Sequence, residues 1–345
     1  MSFQFQHHTL FFRKPAVTSR DVLTTRDVYF VKAFSEDNFL AGIGECAPIW
    51  GLSPESKPQV ERTIAEWPRI MNAPSAMKEA FDQMSSFRCA MEMALLDLAG
   101  GGCRKLFPVD LNRAIPINGL VWMSDYRSML AECREKIEAG FATIKFKVGA
   151  LDFDEEISLL RSIRSEYTQS DLEIRLDANG AFAPHESMEK LDVLSDFRIH
   201  SIEQPMRAGN WEQMAWLVDK SPIPIALDEE LIGIHDATQK TKLLDTIKPH
   251  YLVLKPTLHG AFSGCDEWIA LAEERAIGWW ATSALESNVG LNAIAQWLLT
   301  KNISMPQGLG TGMLFTNNIS SPWVVGEGYL KFSSELDWNL KPLFR

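Results

Sequence analysis

No two of the chain's five cysteines stand in a C-x-x-C pair. Cys46, Cys89, Cys103, Cys133 and Cys265 are odd in number and widely spaced. That speaks against a thiolate zinc site and for free thiols in a reducing compartment. No stretch approaches the ~18 uninterrupted apolar residues of a membrane span. Residues 1–14 lack the small-residue cleavage signal of a secretory leader, so a cytoplasmic location is expected. Runs of Lys or Arg are absent too, and the formal net charge of -11 would repel nucleic acid and acidic lipid alike. Low-complexity tracts and flexible linkers are missing, and oligomeric state is not legible. What remains is a small-molecule partner. If that partner is anionic, local lysines or a metal must attract it against the overall field.

What is present is rhythm. A chain of 345 residues exceeds one ordinary core, but it suits one barrel of about 250 residues plus a smaller unit. The first hundred residues read as α+β, with a strand over residues 28–34, a hairpin partner over 38–45 and a helix over 79–99. Gly100-Gly101-Gly102 supplies the stop. Short apolar strands then fall at residues 114–117, 143–148, 172–177, 199–204, 224–228, 251–255 and 278–283. Helical segments separate them, among them 126–139, 153–165, 185–195 and 265–275. Such alternation implies a parallel sheet, and seven units favour closure into a barrel. The glycine-rich residues 308–311 are a weak candidate for an eighth strand. Residues 1–112, completed by the tail 320–345, are expected to form an α+β cap over a barrel of residues 113–319. The tail aromatics Trp323, Tyr329, Phe332, Trp338 and Phe344 are expected to pack against the N-terminal unit. Trp216, Trp279 and Trp280 read as core packing, and His7-His8 as surface.

The chemistry lies in position. Lys147, Asp177, Glu203, Asp228 and Lys255 each stand at or near the C-terminal end of a predicted strand, separated by 30, 26, 25 and 27 residues. One βα unit apart, all five converge on the barrel mouth where such folds gather their reactive groups. Three carboxylates on adjacent strands repel in a partly dry site unless a cation offsets them. Asp177, Glu203 and Asp228 are therefore candidate ligands of a hard divalent cation, magnesium first, with manganese as a substitute. Any one of these acids alone would read as an ordinary strand-end residue. Lys145 and Lys147 leave the same face of their strand. With Ile144, Phe146 and Val148 facing the helices, both lysines point inward, and mutual repulsion is expected to lower a pKa toward that of a general base. Lys255 ends an apolar strand on the far side. Two lysines, three acids and a metal suit removal of a proton beside a carboxylate, with the enediolate stabilised by metal and lysine.

These residues resemble the enolase superfamily, in its muconate-lactonizing subgroup. The likeness runs through residues 42–48 (Gly-Ile-Gly-Glu-Cys-Ala-Pro), Lys145-Phe146-Lys147, Asp177-Ala178-Asn179-Gly180, Glu203-Gln204-Pro205, Asp228-Glu229 and Lys255-Pro256-Thr257-Leu258. The resemblance implies a modified (β/α)7β barrel of the TIM type under a cap built from both termini. Loops near residues 17–23 and 48–53 would close over a small anionic carboxylate substrate. Lys255-Pro256-Thr257-Leu258, residues 283–287 and residues 308–312 look most like members that dehydrate a succinyl-bearing cyclohexadiene carboxylate in menaquinone biosynthesis. By that resemblance Lys147 is the acid–base group of a syn elimination, Lys255 the cation facing the enediolate, and Lys145 a tuning or carboxylate-binding group. Asn179 is a supporting residue. Ser283, Glu286, Gly310, Thr311 and Gly312 are candidate substrate contacts. Ala261 departs from the pattern, where related sequences often carry glycine. N-acylamino acid racemases and dipeptide epimerases share this scaffold, and a metal-binding homologue without activity is a further alternative. Residues 310–312 lack the acidic Asp-x-Asp usual in the epimerases.

Overall fold

The computed structural model describes residues 1–17, 22–149, 151–341 and 343–344. Strands β1 (Ser2–Val17), β2 (Val22–Phe34) and β3 (Ala41–Cys46) form an antiparallel sheet in that order. One face of the sheet carries Tyr29, Val31, Ala33 and Cys46 onto the helix Ser85–Ala99, around Phe87, Met91 and Ala94. Glycine sets the distance here. A Cβ on Gly42 would lie 2.0 Å from the Ala94 carbonyl oxygen, and one on Gly44 1.9 Å from that of Ala90.

The single helix expected over residues 79–99 is two, Pro74–Gln83 and Ser85–Ala99, broken at Met84 with φ -131° and ψ 87°. Glu55, from outside the helix, accepts the Ser86 amide at 3.0 Å. The apolar spacing survives the break, which is why the sequence does not display it. Nor does residue pattern reveal β1, an edge strand whose exposed Gln4 and His7 stand among half-buried Phe3, Phe5, Gln6 and His8.

A two-residue strand β4 (Ile115–Pro116) precedes the barrel, which runs β5 (Gly119–Val121), β6 (Thr143–Lys147), β7 (Glu173–Asp177), β8 (Ser201–Glu203), β9 (Ile225–Leu227), β10 (Tyr251–Leu254) and β11 (Gly278–Ala281). These seven are parallel and adjacent in sequence order. The first barrel strand therefore lies later than the expected 114–117. Residues 115–116 pair instead with the tail hairpin, β12 (Trp323–Gly326) and β13 (Tyr329–Phe332), through Leu330↔Ile115 and Tyr329↔Pro116. The eighth strand shrinks to two bridges, Ile117↔Gln307 and Thr282↔Gly308. They suffice to close the ring, because the Gln307 amide donates to the Pro116 carbonyl and the Gly308 amide to that of Ala281, both at 2.8 Å.

Helices cover the outside, several started by a side chain that accepts their first amides: Asp125, Asp152, Asn210, Asp236 and Ser287. The tail divides. Trp323 and Leu330 join the barrel core, while Trp338, Leu340 and Leu343 pack on Leu10, Val28 and Phe30 of the cap. Trp280 is buried inside the barrel and Trp279 half-buried, but Trp216 is 52% exposed on a helix exterior, contrary to its reading as core. All five cysteines are free. Among the described residues no helix is long and apolar enough to cross a membrane. Of the two loops expected to close over the site, residues 18–21 lie outside the described residues. Residues 49–53 form a turn in which the Ile49 carbonyl accepts the amides of Leu52 and Ser53.

Gly44→Ala is expected to destabilise the protein by about 1–3 kcal/mol through overpacking of sheet on helix. Gly326→Ala, where an added Cβ meets nothing within 4 Å, should not. Denaturant unfolding of both variants checks this.

Candidate active site

Parallel register assembles the site. Lys147 pairs with Asp177, and Asp177 with Glu203, so three side chains of β6, β7 and β8 stand side by side at the strand ends. Glu203 pairs with Ala226 of β9, two residues before Asp228. Asp228 leaves the strand into a short turn, Glu229–Leu231, and Lys255 follows directly on β10. Ile144, Phe146 and Val148 are buried in the layer outside the strands, so alternation sends Lys145 and Lys147 inward.

The side chains meet in a closed network. Lys145 Nζ donates to Asp177 Oδ2 and Glu203 Oε2, both at 2.9 Å. Lys147 Nζ reaches the same Asp177 oxygen at 2.6 Å and Asn179 Oδ1 at 2.7 Å. Across the barrel Lys255 Nζ pairs with Asp228 Oδ2 and lies 3.9 Å from Glu203 Oε1. The three carboxylates are essentially without solvent exposure.

Burial dictates the electrostatics. Desolvation disfavours the Asp177 carboxylate, yet Lys145, Lys147 and Lys255 hold it well below the usual range. Glu203 is pushed up to about 8 by burial and by the charge of Asp177, with Asp228 adding to the rise. Asp228 is raised as well, by burial first, with Lys255 opposing and Glu229 and Asp177 adding. The lysine expectation needs correcting for Lys145. Burial works against its charge, but Asp177 and Glu203 raise its pKa above the ordinary value. Neighbouring carboxylates at 2.9 Å outweigh a second ammonium group. Lys255 is likewise raised: burial opposes its charge, and Asp228 and Glu203 override it.

Among the described residues no three His, Cys, Asp or Glu side chains converge closely enough to hold one ion, because ammonium groups sit between the carboxylates. The donor set nonetheless fits a hard cation. It is oxygen only, spread over three consecutive strands, and Glu203 Oε1 and Asp228 Oδ1 are buried without a hydrogen-bond partner. Each orphaned acceptor costs about 1–3 kcal/mol or more, which a bound cation would remove.

Asn179 belongs to this cluster. At φ +46°, it accepts from Lys147 and passes a hydrogen bond to Glu229 Oε1 at 3.0 Å. Ser283 and Glu286 form a separate buried pair, Ser283 Oγ donating to Glu286 Oε2 at 2.5 Å while Thr257 donates to the other oxygen. Residues 310–312 lie in a short helical turn, Gly310–Met313, just after the closing bridge at Gly308. Thr311 Oγ1 is buried there without a partner, and Gly312 gives its carbonyl to Asn318 at 2.7 Å. Gln204 escaped sequence reasoning as a supporting residue. Fully buried at φ +41°, its Oε1 accepts the amides of Asp228 and Glu230 at 3.2 Å each, and its Nε2 donates to Met206 O and Glu230 Oε2. It thereby fixes where Asp228 leaves its strand. The available signal was an amide wedged between an acid and a proline in Glu203-Gln204-Pro205.

The sequence matches the family Enolase C-terminal domain-like over residues 128–335. It is 42% identical to an o-succinylbenzoate synthase of Desulfotalea psychrophila, over 96% of this chain and 99% of that one. The solved structure of MenC from the same organism superposes with a TM-score of 0.87 at 38% identity, covering 96% of this chain and 99% of that chain. A muconate lactonizing enzyme of Pseudomonas fluorescens shares the fold at a TM-score of 0.85 and 22% identity, over 99% and 97% of the two chains. A barrel closed by two bridges under an antiparallel cap, matched over nearly its whole length by such relatives, leaves one assignment: the chain belongs to the enolase superfamily, in its muconate-lactonizing subgroup.

Proposed function

We propose that the chain is an o-succinylbenzoate synthase, a hydro-lyase that converts 2-succinyl-6-hydroxy-2,4-cyclohexadiene-1-carboxylate to 2-succinylbenzoate and water in menaquinone biosynthesis. The observation that carries the reading is the placement of Lys147 and Lys255 on opposite sides of three buried carboxylates. The end-to-end likeness to the Desulfotalea psychrophila synthase supports the choice of substrate. Superfamily members use magnesium, and here Asp177, Glu203 and Asp228 would hold it. When bound, it would offset negative charge on the substrate carboxylate as the adjacent carbon loses its proton.

The chain's own residues supply the rest. Lys147, hydrogen-bonded to Asp177 and Asn179 and only slightly exposed, takes the proton from the carbon next to the carboxylate. The electron pair left behind forms the ring double bond as the hydroxyl departs. Lys147, now an ammonium, gives that proton to the leaving oxygen on the same face, so one proton and one hydroxide leave as water. Lys255, held charged by Asp228 and Glu203, faces the negative charge that develops on the opposite side. Lys145, locked on Asp177 and Glu203, fixes the two acids rather than acting as a base. The racemase and epimerase reading uses the same scaffold with two bases, and residues 310–312 offer no acid to hold a substrate ammonium.

Calorimetric titration with magnesium should show binding that Asp177→Asn, Glu203→Gln and Asp228→Asn each weaken, and EDTA should abolish turnover until magnesium or manganese is restored. Normal metal affinity in all three variants would sink the triad. Turnover of the succinyl-cyclohexadiene substrate should exceed that of any dipeptide or N-succinyl amino acid, and the reverse order would overturn the substrate assignment. Lys147→Ala should stop both turnover and exchange of the substrate α-proton with deuterated solvent. Lys255→Ala should lose an electrostatic contribution of about 3–4 kcal/mol. Lys255→Arg keeps the charge but is a poor base, so a one-base dehydratase should regain activity with Arg at 255, where a two-base racemase would not. Steady-state kinetics on the metal-loaded variants reads the difference.

A further inference from the structure

Lys255 acts from a turn rather than from a strand. Pairing of β10 with β9 covers only Tyr251↔Ala226 and Leu252↔Leu227, so Lys255 lies beyond the ladder. Pro256 follows it and has no amide to give. The turn carries strain at Ala261, whose φ of +64° lies in the left-handed region where a Cβ is disfavoured, while Gly260 before it takes φ +87° freely. Ala261 thus adopts a backbone conformation that glycine would take without a Cβ penalty. Strained turns persist where their surroundings over-determine them.

His259 does this from within the turn. Its amide donates to the Lys255 carbonyl at 2.9 Å, and its ring Nδ1 accepts the Lys255 amide at 3.0 Å. Both main-chain groups of Lys255 are therefore held by one residue four positions on. Gly260 then ties the turn to the cap, its amide donating to Ser85 Oγ at 2.8 Å. The imidazole is 1% exposed, lies against the Asp228 carbonyl and completes no hydrogen bond through Nε2. An acceptor at Nδ1 requires the proton on Nε2, so the ring is the neutral tautomer.

We propose that His259 is a positioning residue: its neutral ring, through Nδ1, clasps the Lys255 amide and fixes the backbone from which Lys255 reaches across the carboxylates. The proposal rests on the role given to Lys255 above. Loss of the clasp leaves a buried amide unpaired and the strained turn free to relax, moving the ammonium group away from Asp228 and Glu203. Substrate binding, which Lys255 does not dominate, should change little.

The test compares His259→Leu, which fills the space without an acceptor, with His259→Asn, whose amide oxygen falls where Nδ1 lies. The Leu variant should lose about tenfold or more in kcat with KM and magnesium affinity near those of the parent, and the Asn variant should recover most of the loss. Hydrogen exchange at the Lys255 amide should accelerate in the Leu variant and stay slow in the Asn variant. In ring-15N-histidine spectra, the resonance lost in both variants should be the tautomer protonated at Nε2. Should the Leu variant not fold, His259→Gln takes its place, because its amide reaches the Nε2 position and misses that of Nδ1. Equal kcat in the Leu and parent proteins, an Asn variant as impaired as Leu, or a proton on Nδ1 would each overturn the proposal. If the parent protein does not dehydrate the cyclohexadiene substrate, the functional reading fails by itself. Amide exchange and the tautomer then still decide the clasp: loosening confined to the Leu variant supports it, and unchanged exchange overturns it.

Discussion

Three carboxylates buried at one level of a barrel are the constraint to which the rest of the molecule answers. An uncompensated buried charge costs several kcal/mol even after relaxation, and Asp177, Glu203 and Asp228 are all nearly without solvent exposure. Lys145, Lys147 and Lys255 match them in number but share them unevenly: Lys145 and Lys147 both pair with Asp177, Lys145 also with Glu203, and Lys255 with Asp228. The compensation is imperfect, as the rise of Glu203 to about 8 and the two unpartnered oxygens show. A further cation would relieve that residual deficit. Below it, Arg175 pairs in register with Lys145 and stacks over Trp280 at 4.5 Å, while His200 and Tyr251 stack on each other beside the same Trp. The interior therefore passes from an aromatic floor through cations to carboxylates.

Much of this order was legible because it depends on spacing alone. Inward and outward residues alternate along a strand, and one βα unit recurs at nearly constant length, so Lys147, Asp177, Glu203, Asp228 and Lys255 could be placed at one mouth before any contact was known. Six of the seven barrel strands, β6 to β11, followed from the same rhythm, and β5 did not. The ionisation of Lys145 was misjudged for a related reason. Sequence separation reveals that two lysines share a strand face, but whether repulsion or pairing wins depends on carboxylates delivered from the next two strands at 2.9 Å.

What stayed hidden was decided by partners far along the chain. Residues 115–116 read as a barrel strand, yet a hairpin more than two hundred residues later captures them, and the barrel starts beyond the proline. The break at Met84 leaves the apolar spacing intact and depends on Glu55, which lies outside the helix. Trp216 stands about half exposed on the outside of its helix, and residue type alone could not say so. Gln204 and His259 act through local hydrogen bonds to main-chain groups, which no periodicity announces. Pattern reads faces, and these residues work by filling vacancies in the backbone.

The cap must be held against the barrel with little slack if it is to exclude water, and beside the apolar contact of Ile43 and Ala47 with Leu285 and Val289 its fastening has a polar part. Glu45, at 0% exposure at the end of the strand packed through Gly44, accepts the Ser287 amide and hydroxyl and the Gly290 amide, at 2.7, 2.5 and 2.8 Å. It thus occupies the N-terminus of the helix Asn288–Leu299, where partial positive charge favours an anion. Burial still pushes Glu45 up to about 7, with those donors opposing the rise. Arg26 supplies the balancing cation and donates to Ala47, Pro48 and Ala284, so one guanidinium joins the loop after β3 to the loop after β11. An apolar interface would resist sliding poorly, because dispersion and burial are not directional. Hydrogen bonds between a strand end and a helix start are directional. They carry the register of the barrel out into the cap, from residue 287 back to residue 45.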